Sequence, residues 1–160
     1  MSPNATRNLI LLATAFSGFL AGASADRYVV QVPAWRHLDV MTWAEHSRHA
    51  DLGNGRFWYP LLAFAATGLS IAAAVGVYTR SLAVTSLPLP IYLAAASELA
   101  GLSLTILAAP NLIRLRQPQD RVVTARGFQL FHVWGLPRAC FQIAAFPILL
   151  WAVSVLLRSG

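Results

Sequence analysis

Four apolar stretches divide the chain, at residues 8–32, 57–78, 87–109 and 128–157. A helix needs about 20 mostly apolar residues to cross ~30 Å of hydrocarbon, and each stretch meets that length. In lipid only helices and closed barrels satisfy their own backbone polar groups. Barrel strands are about 10 residues long, far shorter than these runs. The expected fold is therefore all-α: one integral-membrane domain, a four-helix bundle with a structured loop at residues 33–56. The first stretch has a second reading as a signal peptide, with Arg7 before an apolar core and Ala23-Ser24-Ala25 as an A-x-A site. An uncleaved first helix is the expectation.

Composition agrees with this class. Apolar residues make up 57% of the chain and charged residues 11%, and the mean hydropathy is +0.58. Those values exclude a disordered chain, and a lone cysteine, Cys140, excludes a disulfide scaffold. A net charge of +6 would suggest nucleic acid in a soluble protein. Here the cations, all arginine, flank the apolar runs, as membrane topology signals do. With four spans both chain ends share one side. The opposite side carries Arg27, Arg36, Arg48, Arg56, Arg114, Arg116, Arg121 and Arg126, against Arg7, Arg80 and Arg158 on the terminal side. The positive-inside rule makes the long-loop side cytoplasmic, and a bacterial inner membrane is the expected location.

The loop at 33–56 has internal order. Pro33 ends or kinks the first helix, and Trp35 and Trp43 suit a membrane interface. Thr42 is positioned to cap a short helix over residues 43–50, with Glu45 completing a capping box. Gly53-Asn54-Gly55 then breaks it. Loops of this length with their own helix tend to be functional. His37, His46 and His49 lie here, and His132 lies near the start of the fourth run on the same side. His46 and His49 share one helix face. They are either ligands for a metal or haem, since imidazole is the common protein ligand, or interfacial side chains hydrogen-bonded to backbone and headgroups.

Glu98 sits near the middle of the third run, where a carboxylate costs several kcal/mol unless it is paired, protonated or hydrated. At 1.5 Å per residue it lies roughly 16 Å from the long-loop side, and Arg138 lies roughly 15 Å from that side in the fourth run. Matching depth points to a polar cavity holding both, opened by Pro137 and shared with His132 and Asn111. A purely structural Glu98–Arg138 ion pair is the alternative, as is Glu98 meeting Arg27, Tyr92 or water. Gly18 and Gly22 on the first helix permit close helix contact, within the chain or in a homo-oligomer.

The Gly-rich first helix running into Gln31-Val32-Pro33-Ala34-Trp35-Arg36-His37-Leu38-Asp39, the polar Pro110-Asn111, and His132 with Arg138 before an apolar final helix resemble a known family. It is the small four-helix integral-membrane family named after anthrone oxygenases. That resemblance implies oxidation of a lipophilic, aromatic or polyketide-like substrate by molecular oxygen. A second, local resemblance is to styrene oxide isomerase, through Trp43-Ala44-Glu45-His46-Ser47 and Asn54-Gly55. It implies haem b held by His46, or by His49 in its place, and Asn54 as a substrate contact.

Two enzyme readings follow. With haem, His46 supplies the axial bond and the open face acts on an epoxide or oxygen. Without it, Glu98 or His132 removes an acidic C–H proton and Arg138 holds the enolate. In both, substrate enters from the bilayer past Phe57, Trp58, Tyr59 and Trp134, with Tyr59, Asn54 and Asn111 as binding residues. The other readings are a non-catalytic accessory subunit and a small transporter, the latter lacking an internal repeat.

Overall fold

A computed structural model describes residues 1–79, 86–114, 117 and 120–158. Arg80 and Arg116, counted above, lie outside the described residues. The chain begins with α1 (Pro3–Asp26), which continues through a π-helical turn (Arg27–Gln31) into the short α2 (Val32–Trp35). Then come α3 (Val40–His49), a second π-helical turn (Ala50–Asn54) kinked at Gly53, whose backbone leaves helical geometry, α4 (Gly55–Tyr78), α5 (Pro88–Ile113) and α6 (Arg121–Arg158). Among the described residues there is no strand. Four helical rods are long and apolar enough to cross a membrane: Pro3–Trp35, Val40–Tyr78, Pro88–Ile113 and Arg121–Arg158.

The rods run past the apolar stretches because polar residues cap them outside those stretches. Ser2 accepts from the Ala5 amide at 3.3 Å, with Pro3 pre-set in the first turn of α1. Asp120 accepts from the Val123 amide at 2.8 Å, so α6 starts seven residues before Phe128, the expected first residue. Pro33 does not end the first rod, which continues to Trp35. The expected cap at Thr42 is not formed. Asp39 caps α3 instead, accepting from the Met41 amide at 3.0 Å. Starting there puts Val40, Trp43, Ala44 and Ser47 on one inward stripe. Glu45 turns outward to accept from Arg48 and His49. Arg121 donates to Asp39 and ties α3 to the start of α6.

α1 and α5 each pack against both α4 and α6, so the bundle is a ring with α1 and α5 on one diagonal. The packing surface is made of small residues. α1 buries Ala13, Ser17, Ala21 and Ser24, and α4 buries Ala63, Ala66, Thr67, Ser70 and Ala73. Small side chains let helices approach closely where the solvent gives little apolar drive. Many large apolar side chains point outward: Phe19, Phe64, Ile106 and Trp151 are all exposed. This inverts the usual arrangement of a water-soluble bundle.

Along the bundle axis three layers follow one another. Ile10, Val77, Ile91 and Leu149 fill the end nearest the termini. A polar layer crosses the middle. Ser17 of α1 donates to Glu98 of α5 at 2.6 Å, Thr67 of α4 donates to the Glu98 carbonyl at 3.4 Å, and Ser97 donates to the Phe141 carbonyl at 2.9 Å. Trp35, Trp43 and Phe131 close the long-loop end. Gly18 is used within the chain: a Cβ there would lie 3.0 Å from Phe146 of α6, whereas Gly22 has nothing within 4 Å.

Candidate functional site

Between the polar layer and the aromatic end lies a cavity of about 190 Å³. Its charged wall comes from the two π-helical turns. Each π turn adds one residue to a helix and breaks its hydrogen-bond register, a feature common at functional sites. The first turn supplies Arg27, and the second supplies Asp51 and Leu52. Arg27 donates to Asp51 Oδ1, and the two residues are only 6% and 5% exposed. Asp51 Oδ2 is buried without a hydrogen-bond partner.

Aromatic faces complete the setting of Arg27. Its guanidinium carbon lies 4.5 Å from the centre of the Tyr59 ring and 5.9 Å from that of Phe131. A cation over an aromatic face is favourable, more so when desolvated. Tyr59 reaches this position because residue 55 is glycine. A Cβ there would meet the Ala50 carbonyl oxygen at 2.8 Å and the Tyr59 ring at 2.9 Å.

Arg138 of α6 also lines this cavity. Its Nε is buried with no hydrogen-bond partner, and no carboxylate pairs with it among the described residues. Its nearest charged and titratable neighbours are Arg27, Tyr28, Asp51 and Tyr59. The floor is polar: Ser24 donates to Gln142 Oε1 at 2.7 Å, and both line the cavity with Thr105. Leu20, Ala23, Ala63, Ala109 and Leu112 make its apolar sides. The mouth opens between α4 and α5, where the lining residues Arg56, Pro60 and Ile113 are exposed.

The expected pairing of Glu98 with Arg138 is not made. Arg138 is level with Gly101, where a Cβ would lie 3.6 Å from the Arg138 carbonyl oxygen, so it sits within one turn of Glu98. The matching of depth is therefore sound. The side chains diverge because helical side chains lean toward their own N-terminus. α5 and α6 are antiparallel, so Glu98 leans toward the chain-end side and Arg138 toward the long-loop side. Glu98, 1% exposed, ends on Ser17 and is not a lining residue.

The remaining expected residues scatter. His132 does not line the cavity. It packs edge-on to Phe128 at 4.2 Å and beside Trp35 at 6.4 Å, with both ring nitrogens unpartnered. Asn111 turns its amide back to the Leu107 and Ala108 carbonyls. Asn54 is exposed and not part of the lining, and of the expected entry aromatics only Tyr59 reaches the cavity. His46 is exposed beside Trp35, 6.1 Å between ring centres, and His49 is exposed and bonded to Glu45. Neither histidine borders the cavity. A haem held by His46 would thus lie outside this cavity. No group of three or more His, Cys, Asp or Glu able to hold a metal occurs among the described residues.

Asp51, Ser24 and Gln142 are site residues that the sequence did not single out, and Arg27, expected as one possible partner of Glu98, pairs with Asp51 instead. Comparison of the chain with protein-family models, with curated proteins and with solved structures gives no match.

Proposed function

We propose that this chain is an integral-membrane enzyme that takes a lipophilic aromatic carbonyl compound from the bilayer and oxidises it with molecular oxygen. The observation that carries this reading is a largely apolar chamber within a bundle of membrane-length helices, with buried Arg27 neutralised by Asp51 and half-buried Arg138 paired with no carboxylate. A cation held in a protein cavity stabilises negative charge that develops on a substrate oxygen. Asp51 is the lining carboxylate, and its Oδ2 is free to accept a proton.

For an anthrone-like substrate the steps balance. Asp51 accepts a proton from the acidic CH₂ carbon, and the electron pair moves onto the carbonyl oxygen facing Arg138. The resulting enolate gives electrons to O₂ at carbon, forming a peroxide that takes up the proton. Loss of water leaves a second carbonyl, so one substrate and one O₂ give one quinone and one H₂O. Here Asp51 replaces Glu98 and His132 as the base, because only Asp51 borders the cavity.

The test is oxygen uptake and quinone absorbance with anthrone and purified protein in neutral detergent. Wild type should exceed the spontaneous rate at least tenfold, and Arg138→Gln should return it to that rate with helicity retained. If wild type gives no acceleration while Arg138→Met and Glu98→Gln alter stability alone, a non-catalytic accessory subunit replaces this reading.

A further inference from the structure

The charges around the cavity do not cancel. Asp51 satisfies Arg27, the two meeting in a buried pair. Arg138 faces the same space with no carboxylate in contact with it, and its Nε has no acceptor. The inner wall therefore holds one uncompensated positive charge. A buried ion is costly unless it is paired and hydrogen-bonded, and no carboxylate among the described residues pairs with Arg138. The missing partner must come from the occupant.

We infer that the cavity binds a compact aromatic monoanion, an aryl carboxylate or phenolate, with its charged oxygens on Arg138 and its ring body between Leu20, Ala63 and Ala109. This rests on the cavity reading above and names the substrate's ionic form. The volume, about 190 Å³, lies below the range of roughly 300–1,000 Å³ usual for drug-sized ligands. It suits a compact fused-ring body better than a long acyl chain. Arg56 at the exposed mouth adds a second cation on the entry path, which favours approach of an anion. The fork of guanidinium donors matches two carboxylate oxygens, which an ammonium or an alcohol would not use.

The experiment measures binding of 2-naphthoate, neutral 2-naphthamide and cationic 2-naphthylmethylammonium to the full chain in maltoside detergent, by quenching of tryptophan fluorescence. The expected order is naphthoate at least tenfold tighter than naphthamide, with no saturable binding of the cation. Arg138→Gln should abolish the preference for the anion, and Arg138→Lys, which keeps the charge and loses the fork, should leave an intermediate preference. Equal affinity of wild type for the acid and the amide overturns the inference without recourse to any variant. So does protection by phosphatidylglycerol with none by naphthoate, which would assign Arg138 to a lipid headgroup. Binding needs no turnover. An anion preference without anthrone oxidation removes only the proposed reaction, and oxidation without an anion preference removes only this inference.

Discussion

Arg27 and Asp51, 24 positions apart and each in an irregular helical segment, meet as a buried ion pair. A buried pair gains little over a well-packed apolar pair, yet breaking one half of it is costly. That asymmetry gives the pair a diagnostic signature. Asp51→Asn or Arg27→Met alone should destabilise the protein by about 3–5 kcal/mol. Arg27→Met combined with Asp51→Leu should recover most of that loss while leaving the protein inactive. Thermal unfolding in detergent, followed by circular dichroism, reads the first effect, and anthrone oxidation reads the second.

Glu98 is bonded through one oxygen to Ser17, and its other oxygen has no partner. Glutamine keeps an acceptor for the Ser17 hydroxyl, so Glu98→Gln should fold and bind naphthoate as wild type does. Glu98→Leu removes that acceptor and should cost about 1–3 kcal/mol. Equal melting temperatures for the two variants would show that the Ser17 bond contributes nothing.

Tyr28 and Gly135 are in direct contact, with the Tyr28 hydroxyl seated where a side chain at residue 135 would begin. Gly135→Ala should therefore destabilise the bundle by about 1–3 kcal/mol through overpacking. Removing the hydroxyl in Tyr28→Phe should relieve much of this. A double-mutant cycle on melting should show favourable coupling between the two changes; additivity would place the strain elsewhere.

Gly18 and Gly22 should respond in opposite directions. Gly18→Ala presses on Phe146 and should lower the melting temperature. Gly22→Ala meets open space and should raise stability by about 0.5–1 kcal/mol, as expected when a helical glycine gains a side chain. Loss of stability at Gly22 would instead reveal a contact beyond the single chain.

The bundle itself was legible in the amino-acid order, since hydropathy and length leave few alternatives in lipid. The depth of Arg138 relative to Glu98 was legible too, because rise per residue is nearly constant. Direction was not. Counting residues along antiparallel helices ignores the opposite lean of their side chains, which sends Glu98 to Ser17 and Arg138 to the cavity. Nothing in Ala50-Asp51-Leu52 announces a π turn or marks Asp51 as a cavity residue. The starts of α3 and α6 were missed for a simpler reason. Asp39 and Asp120 are capping residues placed outside the apolar runs, and hydropathy alone does not see them.

The alanines on the cavity wall carry a consequence for how such a chamber can diversify. Ala23, Ala63 and Ala109 set its shape, while Arg27, Asp51 and Arg138 set its charge, and the two sets do not overlap. A lineage could trim or enlarge the chamber one methyl group at a time, at positions that hold none of its ions. Shape and chemistry are thus separately adjustable, so close relatives of this chain could share one reaction and differ widely in the molecules they admit.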